Sequence, residues 1–583
     1  MNTFSAPPRW NLSNLLPCGP DTEQFKNHIN SLKKNLSALE NTEESESLNE
    51  SELNTLARLI QKVDSAESFY YCLTTEKADP SLLSSIHSNI SELKSNIHLL
   101  VSNQLERIRH MSDEQFAAWS DRINHKHFIE DLVEGTEPKI SAEKIITGFA
   151  SETLSSLEEI YEQVRNNLKV KVEIEGEKSE LSFAEASYSA LSHPKPSTRN
   201  LVFTKLNRTL EKQAGIFASI YNSMVGLRLN ENEVKNTDYL EGSLKLNGIS
   251  KPVLDAMWNT VDDNLPELVR YLNIKAHKSG KERISWHEVM TSFQETPYEI
   301  PFSQAVEGIY EALTPIDSNQ SKFIKEIIRR GWVDAEPRDT KPPGGFCAPF
   351  MPEGESRISI NYDNSIDSAR RLAHELGHAW HFKQMKKSPS LRFSDETFEM
   401  TTAETASIFF ETAYIDYVIE NTNDVSVKKT ILGAKIDRSL NYLMAIRGAF
   451  WFENRFYEYR KKGPLDDKQI EELSLQCQKE AYGNGLSEYE PFIWIKYVQF
   501  YQANIPFYNY PYPLGFLLSI GLLKQAEKDN LFSRKFQSFL NETGLLPLEQ
   551  LVEKHFSISL SQPEFWQQSI QNITQDIEQY SSL

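Results

Sequence analysis

A mostly α-helical protein is predicted by three features of the chain. Apolar residues recur at three- and four-residue intervals, as in Phe25, Ile29, Leu32, Leu36 and Leu39 and again in Leu83, Ile86, Ile90, Leu93, Ile97 and Leu100. Two-residue alternation is confined to two short runs, around Val170 to Ile174 and Arg357 to Asn361. At 583 residues the chain exceeds what a single hydrophobic core usually serves, so two or more lobes are expected.

Taken in order, residues 1 to about 20 read as an irregular arm, with Trp10 and Leu15-Leu16 available to pin it to a lobe. Long antiparallel helices are expected from about 22 to 125, with Glu43, Glu44, Glu46 and Glu50 facing solvent. Helical spacing continues over 141 to 170 through Ile145, Ile146, Leu154, Leu157, Ile160 and Val164. The period then drops to two: Val170, Val172 and Ile174 alternate with charged residues until Gly176, which reads as a small hairpin. A turn at His193 to Thr198 divides an N-terminal helical lobe, 1–195, from a second region, 196–583. Helices are expected at about 199–226, 251–276 and 302–330, with Pro252 suited to the opening turn of the second. His287, within Ile284-Ser285-Trp286-His287-Glu288, reads as an ordinary surface or interface histidine. Pro337, Pro342, Pro343, Gly344 and Gly345 make a loop whose backbone can approach a ligand closely. The strand through Ile358 and Ile360 leads into the next helix, and an edge strand there could pair with an extended peptide. Helical patterning resumes over 427–459, a turn follows at Tyr482 to Gly485, and aromatic residues crowd Tyr497 to Tyr501 and Phe507 to Tyr512.

Composition narrows the partners. A formal charge of −20, from 82 acidic against 62 basic side chains, makes nucleic acid a poor partner. No stretch reaches the roughly 20 apolar residues that span a bilayer, and the first ten residues carry no apolar run suited to a signal peptide. The four cysteines, Cys18, Cys72, Cys347 and Cys477, form no CxxC pair, so a reduced, cytoplasmic protein without a membrane partner is expected.

The chemistry concentrates in Leu372-Ala373-His374-Glu375-Leu376-Gly377-His378-Ala379. Two histidines four apart on a helix share one face and can share one ion, while Glu375 flanks that ion as a general base. Asp363, Asn364 and Ser365 can cap this helix, Asp367 suits its first turn, and the small residues Ala373 and Gly377 let another element approach. The third ligand is expected from a second helix, where Glu404 can point at the ion and Glu411, two turns on, can accept a histidine N–H. Two histidines, one glutamate and a water make a catalytic zinc site, one Zn2+ per chain. Glu399 is the fallback ligand, Glu396 a loop or helix-start carboxylate, and His381 a pocket-wall residue. The aromatic segment is read as lobe packing for most of its residues; for Tyr508 and Tyr512, packing and hydroxyl donation to a developing oxyanion both stand.

In order along the chain, Gly331-Trp332-Val333-Asp334-Ala335, Gly344-Gly345-Phe346-Cys347, Glu355-Ser356-Arg357-Ile358, the metal helix, Thr402-Ala403-Glu404-Thr405-Ala406-Ser407 and Phe507-Tyr508-Asn509-Tyr510-Pro511-Tyr512 resemble the M3 family of zinc oligopeptidases, specifically its oligoendopeptidase F branch. The resemblance implies a mostly helical, two-lobed enzyme with a deep central channel that excludes folded proteins. It also implies His374, His378 and Glu404 as zinc ligands, Glu375 as base and acid, and tyrosines of the C-terminal segment as substrate and oxyanion contacts. Where the family usually carries a histidine ahead of that segment, this chain has Gln499, which can donate an N–H but cannot carry an imidazolium charge. Gly344, Gly345, His381, Glu411, Gln499 and Tyr501 complete the candidate set around metal and substrate. The expected activity is endopeptidase cleavage of short unfolded peptides. The alternatives are a carboxypeptidase or dipeptidase, and a zinc-dependent peptide-binding protein without turnover.

Overall fold

A computed structural model describes residues 6–16, 22–40, 50–109, 111–120, 142–174, 176–289, 298–342, 344–385 and 400–583. Helices dominate these residues, accompanied by two small sheets. The chain gathers into two compact units, each drawn from three separated stretches. The first is Met1–Pro138, Pro297–Thr422 and Leu522–Ile558; the second is Lys139–Thr296, Asn423–Gly521 and Ser559–Leu583. Residue 195 falls inside the second unit, in the stretch Lys139–Thr296 that also holds helix Ala142–Asn166 and the hairpin.

In the first unit, helices Thr22–Glu40, Glu50–Thr74 and Pro80–Arg109 pack through the periodic residues the sequence marks. Phe25, Ile29, Leu32, Leu36 and Leu39 are all buried, as are Ile86, Ile90, Leu93, Ile97 and Leu100. The N-terminal arm is tied down as expected: Trp10 and Leu15 are buried, and the Asn11 amide donates to Gly331 O at 2.7 Å. This core extends to a three-stranded sheet of β3 (Val333–Asp334), β4 (Gly345–Phe350) and β5 (Glu355–Ile360), whose Ala348 and Phe350 join the same apolar cluster. The strand order is β3-β5-β4, parallel between β3 and β5 and antiparallel between β5 and β4. The strand through Ile358 and Ile360 is therefore central, and the edge next to the metal helix is β4. The sequence shows alternation at Ile358 and Ile360, but it cannot show that the short Val333–Asp334 and the Gly-rich loop claim both of that strand's hydrogen-bonding sides.

In the second unit, β1 (Lys169–Ile174) and β2 (Glu177–Ser182) form the expected hairpin, with Gly176 at φ +89° in its turn. Several expected helices are broken into two. The run 251–276 is Lys251–Asp263 and Leu265–Lys278, because Pro266 can open a helix but cannot continue one. In the first unit likewise, 302–330 is Phe302–Leu313 and Ser318–Arg329, the latter capped by the Asp317 side chain, which accepts from the Asn319 amide at 2.8 Å. The run 427–459 is continuous except for a π turn at Asn441–Ala445. His287 is buried rather than on the surface, with its ring centroid 4.9 Å from that of Phe203. Among the described residues no helix is long and apolar enough to cross a membrane.

Candidate active site

Helix Ile366–Met385 begins where Ser365 caps it: the Ser368 amide donates to Ser365 Oγ at 3.1 Å, and the Ser365 amide donates to Asp363 Oδ1. Its buried stripe of Ala369, Leu372, Ala373, Leu376 and Ala379 fixes its rotation, so that His374 and His378 share the half-exposed side. Helix Met400–Asn421 lies against it with a very close backbone approach. Gly377 makes that approach possible, since a Cβ there would sit 2.5 Å from Ala406 O and 2.6 Å from Ser407 Cα.

The consequence is a convergence of three side chains. His374 Nε2 lies 3.3 Å from Glu404 Oε2 and His378 Nε2 lies 3.8 Å from it. The His374 and His378 ring planes are close to perpendicular, at 82°. Ligand atoms about 2 Å from a tetrahedral ion stand roughly 3.3 Å from one another, so this donor set fits one zinc. Among the described residues it is the one group of three or more His, Cys, Asp or Glu side chains with that geometry.

His374 is oriented from behind. Its Nδ1–H donates to Glu411 Oε2 at 3.0 Å, which leaves the Nε2 lone pair facing Glu404. Glu411 Oε1 is in turn 3.1 Å from an Arg370 nitrogen, and Ser407 Oγ donates to Glu404 Oε2 at 2.9 Å. Glu375 points into the protein and is 6% exposed. Burial, reinforced by the charge of Glu404 and offset in part by Arg370 and Arg371, pushes its carboxyl up to about 8. Gly345, the first residue of β4, passes beside it, where a Cβ would lie 3.1 Å from Glu375 Oε1 and 2.6 Å from Ile360 Cγ2. Gly344 precedes it at φ +98°, a backbone conformation that favours glycine.

The remaining candidates separate. His381 stands away from the cluster: it is buried, with Nε2 2.8 Å from Thr543 Oγ1. Tyr501 is fully buried in the second unit and stacks on Tyr161 at 3.8 Å between ring centroids. Gln499 is half-buried in the 3-10 turn Val498–Tyr501. Tyr508 and Tyr512 are both half-buried, with hydroxyls 3.0 Å apart, whereas Tyr510 between them is buried and bonded to Ser243 and Asn247. Glu396 and Glu399 lie outside the described residues. Sequence reasoning missed Arg370 and Ser407. Their only signal is helical spacing, Arg370 four before His374 and Ser407 three after Glu404.

Known proteins repeat this arrangement of chain. An "Oligoendopeptidase F homolog" of Borreliella burgdorferi is 25% identical, covering 94% of each chain. A crystal structure of a candidate peptidase from Chlamydophila abortus matches with a TM-score of 0.82 at 19% identity, covering 98% of each chain. One of oligoendopeptidase-F from Enterococcus faecium matches with a TM-score of 0.69 at 18% identity, covering 96% of this chain and 98% of that one. The family model described as Peptidase family M3 matches residues 189–572, a span that takes in both metal helices and the aromatic segment, and the chain belongs to that family.

Proposed function

We propose that this chain is a zinc endopeptidase of the oligoendopeptidase F type, cleaving internal bonds of short unfolded peptides in the cytoplasm. The observation that carries the reading is the convergence of His374 Nε2, His378 Nε2 and Glu404 Oε2, supplied by two helices, beside the buried carboxyl of Glu375. Three protein ligands leave a fourth position open, which separates a catalytic from a structural site. A bound zinc supplies Lewis acidity and a water of lowered pKa.

In this reading Glu375 takes the proton of the attacking water on a carboxylate oxygen and later delivers it to the leaving amine nitrogen. Glu411 and Arg370 hold the imidazole of His374, Gly345 lets the β4 backbone itself pass close to Glu375, and an extended peptide would pair along the β4 edge. Tyr508 and Tyr512 keep the role of substrate and oxyanion contacts that the resemblance implies, with Gln499 replacing the family's usual imidazole by a neutral donor. The free thiols of Cys72, Cys347 and Cys477 suit a reduced compartment.

The test is digestion of a mixed peptide library with the products mapped by mass. Internal cuts are expected, lost with a chelator and restored by zinc, and Glu375→Gln should keep its zinc while losing about 10²–10⁴-fold in kcat. Products trimmed only from one terminus would replace the endopeptidase reading by an exopeptidase one. A fully active Glu375→Gln would remove Glu375 from the chemistry.

A further inference from the structure

Glu453 is a buried carboxylate, 2% exposed, that the proposed chemistry does not use. It lies on helix Ile446–Arg460 of the second unit, and its Oε1 accepts the backbone N–H of Phe507 at 2.9 Å. Phe507 is the residue before Tyr508 and adopts φ +56°, a left-handed conformation that an aromatic residue rarely takes without an outside hold. Its ring is caged by Tyr457 at 5.0 Å, Tyr239 at 5.8 Å and Phe450 at 6.0 Å between centroids.

The segment that Phe507 closes is held by side chains rather than by a sheet or helix ladder. At its start the Ala503 amide donates to Glu158 Oε2 at 2.9 Å. The buried Arg228 guanidinium donates to the carbonyls of Gln502 and Ala503 and, at 3.3 Å, to Tyr457 Oη. Three helices thus contribute one ionisable residue each, Glu158, Arg228 and Glu453, to fix the backbone leading to Tyr508. Tyr510 is bolted separately, so Tyr508 and Tyr512 are the two hydroxyls of the segment left half-buried and paired with each other.

We propose that Glu453 and Glu158 are positioning residues that set the backbone from Ala503 to Phe507 and thereby aim the Tyr508–Tyr512 hydroxyl pair at substrate. The inference rests on the reading of those tyrosines as substrate contacts. A carboxylate buried this deeply is costly unless its lone pairs are used, and its bond to the Phe507 amide is a use that a shorter side chain could not reach. What matters at 453 is an acceptor at the right distance, so glutamine should serve where aspartate does not.

The experiment is steady-state kinetics of the zinc-loaded enzyme on an internally quenched peptide. Glu453→Ala and Glu158→Ala should each lower kcat about ten- to a hundredfold with zinc content unchanged, as expected for a displaced reacting group. Glu453→Gln should restore most of the loss and Glu453→Asp should not. In a Tyr508→Phe/Tyr512→Phe background both alanine changes should lose their effect. Multiplicative losses in that background, or Glu453→Gln no better than Glu453→Ala, overturn the positioning role alone. Tyrosine variants that keep the parental kcat overturn the tyrosine reading itself and this inference with it. If Glu453→Ala does not fold, Glu158→Ala decides the same question from a half-buried site at the other end of the segment.

Discussion

The imidazole of His374 carries two nitrogens with different surroundings, Glu404 at 3.3 Å from Nε2 and Glu411 at 3.0 Å from Nδ1. With Glu411 in place, Nδ1 holds the proton and the ring keeps Nε2 turned towards Glu404. Removing that partner leaves tautomer and ring angle free, so Glu411→Ala should weaken zinc binding about ten- to a hundredfold. Competition with a zinc chelator measures this, and an unchanged zinc affinity would show that helix geometry alone orients the ring. At this scale the sequence is legible where chemistry and spacing coincide. His374 and His378, two of only 13 histidines, stand at a spacing that few structural roles demand, and Glu404 is legible through them as a carboxylate on the next helix. Arg370 is not legible, because an arginine one turn from any helical residue is ordinary surface pattern until a carboxylate such as Glu411 is placed opposite it. The burial of Tyr501 against Tyr161 is not legible either, since an aromatic side chain does not announce its partner.

Between elements, the separation of the two metal helices is set by one absent side chain. The Cβ that Gly377→Ala adds meets the backbone of Ala406 and Ser407, which cannot rotate away as a side chain would. The helix bearing Glu404 must shift, and contacts of 2.5 and 2.6 Å are relieved only by a movement larger than the roughly 0.2 Å that a metal–ligand distance tolerates. Overpacking of this kind costs about 1–3 kcal/mol, and here zinc affinity should fall together with stability. Thermal melts with and without zinc check this, and the expected sign is a smaller zinc-dependent rise in melting temperature than the parent shows. The helices themselves were readable from apolar spacing, and so was the hairpin at Gly176. Their interruptions were less so: Pro266 and Asp317 restart helices within runs whose periodicity continues across the break. The edge strand was misplaced because β5 gains its partners from residues 333–334, too few to show an alternating pattern.

For the molecule as a whole, pH acts on stability through buried carboxyls. Burial, offset in part by the Phe507 amide and Arg228, raises Glu453 from the ordinary 4.5 to about 7. The folded protein holds that proton more tightly than the unfolded chain does. Its contribution is therefore full below pH 4.5 and is lost as pH climbs through about 7, a change of about 3 kcal/mol. Asp437 is raised by burial in the same sense. Carboxyls held low by their partners, such as Glu480 beside Arg455, act oppositely but only below the ordinary carboxylate range. The mounting negative charge of the chain adds to the loss on the alkaline side. His28 and His287, both held low by burial, gain stability as pH rises towards the ordinary imidazole value, so the window for Glu453 lies above it. From pH 6.5 to pH 8 the melting temperature should fall, and Glu453→Gln should flatten that fall; equal slopes for the two proteins would refute the assignment. The division into interleaved units bears on birth as well as on endurance. Residues through Thr422 leave the ribosome about a hundred residues ahead of Leu522–Ile558, the stretch that completes the first unit. At roughly 5–20 residues per second, the nascent metal helices wait about 5–20 s for helix Phe532–Glu542 to cover them, an interval in which a chaperone would find its client.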